Sequence, residues 1–62
     1  MTQKELLYVE DAIEHEKSII KICQEALNNI DEEFKSFFND EIRIHQENEN
    51  RLLTLLGEKA NG

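Results

Sequence analysis

Four residues carry the chemistry this sequence can offer: Glu16, Glu41, His45 and Asn48. Glu41 and His45 stand four apart, which puts both on one face of a helix. A carboxylate and an imidazole so placed can satisfy one another through hydrogen bonds, or they can ligate iron, manganese or zinc. Two histidines at the same spacing hold zinc on the helix of one metalloprotease class. An unpaired carboxylate in an apolar seam costs several kcal/mol, so each acid must be neutralised, hydrogen-bonded, hydrated or bound to a cation. The residues therefore read first as a Glu/His/Asn layer that fixes register and oligomeric state, as a single buried polar residue does in coiled coils. The alternative is a metal site made of Glu16, Glu41 and His45.

The other reactive side chains fit plainer roles. His15 sits between Glu14 and Glu16 and turns about 100° away from the seam, toward solvent. Cys23 falls on the apolar seam, where a reduced cysteine behaves as a small hydrophobe. A reactive thiol needs electropositive surroundings, and Glu41 is expected nearby. Phe34, Phe37 and Phe38 form a cluster that reads as core. Asp31/Lys35 and Glu47/Arg51 are spaced for i,i+4 pairs on a helix surface. No Ser/His/Asp or Cys/His set and no Gly-rich phosphate loop is present, so an enzyme is not the preferred reading.

These side chains must be positioned by helices, because the chain has no proline and its two glycines, Gly57 and Gly62, lie near the end. Thr2-Gln3-Lys4-Glu5 has capping-box spacing, which predicts a helix over about residues 3–28. Asn28 and Asn29 tolerate a left-handed helix exit, and Asp31 is suited to cap a second helix that opens with Glu32 and Glu33. That helix is expected over about 32–56, with Gly57 as a positive-φ residue that stops it and a tail over 57–62. A heptad-like 4,3,4,3 spacing runs through both segments. In the first it passes through Val9, Ile13, Glu16, Ile20, Cys23, Leu27 and Ile30; in the second through Phe34, Phe38, Glu41, His45, Asn48, Leu52 and Leu55. Folding the chain back around Asp31 makes a single antiparallel helical-hairpin domain over 1–62 and brings Glu16 near Asn48 and His45. Ala12, Ile19, Ala26, Phe37, Ile44, Ile42, Leu53 and Leu56 widen the stripes beyond what one partner helix covers. The expected architecture is all-α, with two such hairpins pairing into a homodimeric four-helix bundle.

Composition narrows the function classes. The 62 residues carry 14 acids against 7 Lys and Arg, a net charge of −7, with 34% charged and 39% hydrophobic residues. Binding to nucleic acid or to an anionic membrane depends on concentrated Lys and Arg, so neither is an expected partner. No apolar run approaches the roughly 20 residues of a membrane span, and no secretory core follows Met1. One cysteine excludes an internal disulfide framework, and a cytoplasmic location is expected. A chain this short buries only about 60% of its unfolded surface, which favours association with a partner chain.

The chain resembles the short ferritin-like helical hairpins related to the spore coat protein F family over about residues 6–56. The resemblance rests on Leu7-Tyr8-Val9-Glu10-Asp11-Ala12 with Glu16, on Glu33-Phe34-Lys35-Ser36-Phe37-Phe38, and on His45-Gln46 followed by Asn50-Arg51-Leu52-Leu53-Thr54-Leu55-Leu56. It implies a structural protein deposited in the spore coat, with itself and other coat proteins as partners. Doubling by a two-fold axis would supply four glutamates and two histidines, the ligand inventory of ferritin-like di-iron and di-manganese proteins. Those proteins use Glu-x-x-His, whereas Glu41 and His45 are four apart. Two rivals to the structural reading follow: an iron- or manganese-handling protein using Glu16, Glu41 and His45, and a regulatory hairpin that binds helices of another protein.

Overall fold

The structure is a computed structural model that describes residues 1–60. Two helices, α1 (Gln3–Leu27, 25 residues) and α2 (Glu32–Ala60, 29 residues), pack on one another as a hairpin. No strand occurs among the described residues. The predicted capping box starts α1: the Glu5 amide donates to Thr2 Oγ1 at 3.1 Å, and the Thr2 amide donates to Glu5 Oε1 at 2.8 Å. Two orphan donors are satisfied reciprocally, which fixes the helix start.

The exit from α1 differs from the expected left-handed one. Asn28 keeps φ −82° and ψ −11°, and no non-glycine residue among the described residues adopts positive φ. The last turn instead tightens to i−3 bonds, from the Asn28 amide to the Glu25 carbonyl and from the Asn29 amide to the Ala26 carbonyl. The Asn29 side-chain amide adds a bond to the Glu25 carbonyl at 3.1 Å. With those acceptors served, no left-handed residue is needed to close the helix.

Gly57 does not stop α2. The helix continues through it to Ala60, and no described glycine has positive φ. A Cβ at Gly57 would meet nothing within 4 Å, so no packing contact enforces a turn there. Glu58, Lys59 and Ala60 are good helix formers, and together they offset the roughly 1 kcal/mol that an interior glycine costs. The expected tail over 57–62 is thus helical as far as Ala60, and residues 61 and 62 lie outside the described residues.

Surface ion pairs also take other partners than the spacing suggested. Lys35 pairs with Glu32 at 3.1 Å rather than with Asp31, and Glu47 pairs with Arg43 at 3.8 Å rather than with Arg51. Exposed pairs of this kind contribute about 0.2–1 kcal/mol, too little to dictate which neighbour is chosen.

The helices are antiparallel, with Val9 beside Leu55 and Ala12 beside Leu52 in shared grooves. The core between them is thin. Among the described residues only Ile13 and Cys23 are buried, at 4% and 6% exposure, and none of those side chains is fully enclosed. The cluster read as core, Phe34, Phe37 and Phe38, is largely in solvent: Phe34 and Phe37 are exposed, Phe37 at 61%, and only Phe38 is half-buried. Phe37 and Phe38 meet edge to face at 5.3 Å, but two helices leave nothing to cover the cluster from the other side. The seam positions of α1 are all at least half-buried, whereas Phe34 and Leu55 of α2 remain exposed.

Candidate functional site

The polar positions of the two seams meet halfway along the hairpin. Glu16 lies at the middle of α1, and one helical turn of α2 carries Glu41 and His45 toward it. His45 stands between the two acids. Its Nδ1 lies 2.5 Å from Glu16 Oε2, and its Nε2 lies 3.4 Å from Glu41 Oε2. The i,i+4 spacing holds Glu41 against one edge of the ring, and the antiparallel register brings Glu16 to the other.

A neutral imidazole can donate from only one of its nitrogens. Only the Nδ1–Glu16 contact has hydrogen-bond geometry, while Nε2 and Glu41 are in looser ion-pair range. The side chains are partly enclosed, with 17% exposure at Glu16, 20% at His45 and 32% at Glu41. No buried side-chain nitrogen or oxygen lacks a partner among the described residues.

This arrangement does not gather metal ligands in one hairpin. The two ring nitrogens point to opposite sides, so Glu16 and Glu41 cannot both reach a cation held by either one. Among the described residues no group of three or more His, Cys, Asp or Glu is disposed to hold a metal ion. Asn48 lines the same groove as Glu16, together with Ala12, Arg51 and Leu52. It takes part in none of the side-chain hydrogen bonds found among the described residues. His15 is exposed, as its helical position requires, and Cys23 is a buried free thiol.

A larger feature surrounds the polar group. At about 100° per residue, Tyr8, Ile19 and Ile22 of α1 and Phe37, Ile44 and Leu55 of α2 all turn to the same side of the hairpin. Tyr8 and Ile22 are each 62% exposed, and Phe37 is comparably open. Grooves along this side are lined by Met1, Tyr8, Val9 and Leu55 near the helix ends and by Ala12, Asn48 and Leu52 at mid-length. The hairpin thus has an open apolar face with a Glu/His/Asn group at its centre. The flanking residues that made each stripe too wide for one helix were its signal in the sequence.

No protein-family model matches the chain, and no curated protein or solved structure matches it either. No helix among the described residues is long and apolar enough to cross a membrane.

Proposed function

We propose that this protein is a small structural and assembly protein whose working form is a homodimeric four-helix bundle, built from two hairpins joined through their open faces. The resemblance to coat-associated hairpins suggests deposition in a spore coat after synthesis in the cytoplasm. The observation that carries the proposal is the open face. Among the described residues the hairpin buries only Ile13 and Cys23 and leaves large apolar side chains such as Tyr8, Ile22, Phe37 and Ile44 exposed, at about 25 cal/mol per Å² of apolar surface.

Size supports a second copy as the occupant. The hairpin is 46 Å long and 15 Å wide, so one face projects to 46 × 15, or about 690 Å², close to the roughly 800 Å² per partner of a stable interface. Its accessible surface of 4808 Å² exceeds the roughly 4200 Å² of a compact monomer of 7.3 kDa. Its radius of gyration, 14.4 Å, likewise exceeds the roughly 10.5 Å of a globular chain this long. A self-complementary contact also closes on itself, and two helices laid on two make a complete bundle. The central polar group suits a second copy better than an unrelated apolar helix, since only a matching polar layer leaves it solvated or bonded.

Sedimentation equilibrium at micromolar concentration tests this, with twice the chain mass of 7.3 kDa as the expected result. A compact, cooperatively folded monomer at that concentration would overturn the bundle and leave the face to helices of another protein.

A further inference from the structure

Granted the dimer proposed above, the open face also selects how the two copies are oriented. A two-fold axis lying in that face can run along the hairpin or across it. The axis across the hairpin lays α1 on the partner's α1 and sets each turn against the partner's helix ends. Because Glu16 lies at the middle of α1, this arrangement brings it level with the partner's Glu16, setting two acids at the same height. It also puts apolar Leu55 level with the partner's Glu41.

The axis along the hairpin brings the two turns together and lays α1 on the partner's α2. Residues at equal height then meet: Ala12 faces the partner's Leu52, Ile19 the partner's Ile44, and Ala26 the partner's Phe37. In the first and last of these pairs a small side chain opposes a large one, which is how facing helices interdigitate without voids. Arg51 falls within one helical turn of the partner's Glu16, a height difference its long side chain can span. Within its own hairpin Arg51 lines the groove beside Glu16 and Asn48 and pairs with no carboxylate among the described residues; Lys4 and Lys21 are likewise without an ion pair there but lie outside that groove. Each polar group meanwhile sets two acids around one histidine.

We propose that the copies pair turn to turn about an axis along the hairpin, and that Arg51 of each completes the polar layer of the other through an ion pair with the partner's Glu16. Glu16 has a second carboxylate oxygen for this bond, since only Oε2 faces His45. A guanidinium forks onto a carboxylate in a way a lysine cannot, so the contact specifies geometry as well as charge.

Two measurements test the proposal. Arg51→Glu and Glu16→Lys should each weaken self-association about tenfold or more, because each homodimer then holds two like-charged contacts. Mixed together, they should form a heterodimer in which both contacts are again of opposite sign, with affinity restored toward that of the unaltered chain. A mixture no tighter than its components would overturn the ion pair. Orientation is read separately from nitroxide labels on Asn28→Cys in a Cys23→Ser background, which keeps the test informative if Glu16→Lys fails to fold. Turn-to-turn pairing places the labels about 20–25 Å apart, roughly two helix spacings plus the label arms. A separation near the 46 Å hairpin length would overturn the orientation while the dimer stands. A monomer in sedimentation would overturn the dimer itself.

Discussion

His45 is held by an acid at each ring nitrogen, so its removal strands two carboxylates close together at a partly enclosed site. His45→Leu should therefore destabilise the protein by about 1–3 kcal/mol, below the 3–5 kcal/mol of a fully buried pair because the group keeps some contact with water. Replacing Glu16, Glu41 and His45 together by apolar residues of similar volume should be neutral or stabilising by about 1–4 kcal/mol. Urea denaturation at neutral pH compares the two. A triple replacement that costs more than His45→Leu would mean that the layer contributes net stability rather than selecting which helices pair. A second residue-scale effect lies at the start of α1. The Thr2 amide bonded to the Glu5 carboxylate, together with the Thr2 hydroxyl and the nearby N-terminus, holds Glu5 below its ordinary value of 4.5. Since the folded value is the lower one, the stabilisation is present above about pH 4.5 and lost as pH falls through the folded value. Glu5→Gln keeps the capping hydrogen bonds without the charge. The gap in Tm between the unaltered chain and Glu5→Gln should accordingly narrow as pH falls from 6 toward 3, and a constant gap would contradict the linkage.

At the scale of the helix, Gly57 is the informative position. It lies inside α2 in helical conformation, a Cβ there would meet open space, and glycine gives the unfolded chain more freedom than alanine. Gly57→Ala should stabilise the protein by about 0.5–1 kcal/mol. Were Gly57 a positive-φ helix stop, the same change would cost stability, so the sign measured by thermal or urea unfolding decides between the two conformations. The ion pairs along both helices carry little weight by comparison. Lys17–Glu14 at 3.5 Å and Arg43–Asp40 at 3.8 Å join exposed side chains, and their loss should be almost silent.

For the whole molecule, folding and association are a single process if the open face is what the second copy covers. Obligate dimers often have no stable monomer, and their apparent stability then depends on protomer concentration. Tm should therefore rise with protein concentration across the micromolar range, and Leu52→Asp should abolish both association and helical content. A Tm independent of concentration would mark the hairpin as stable alone. The net charge of −7 per chain opposes association, so added salt should tighten the dimer wherever screening of that repulsion outweighs weakening of the polar layer.

The sequence by itself determined the local structure, because each of those features is encoded by neighbours in the chain. The Thr2/Glu5 box, the absence of proline, the break at Asn28–Asp31 and the apolar spacing are enough to specify two helices and the face that each turns inward. Glu41 and His45 were legible as a pair for the same reason, since i and i+4 share a face whatever the tertiary structure is. Only the packed hairpin decided that Glu16 reaches the Nδ1 edge of His45 while Glu41 takes the other, which makes the three a bridge with its donors pointing apart. Interhelical register depends on the turn geometry and on contacts between residues distant in sequence. Helix spacing alone pointed the wrong way on three counts: it ended α2 at Gly57, paired Glu47 with Arg51 rather than Arg43, and read the phenylalanine cluster as core. Gly57, lacking any contact to impose a turn, follows the helix-forming residues after it. Phe34 and Phe37 are exposed because two helices enclose only the line along which they touch, and an apolar stripe wider than that line needs further helices to cover it.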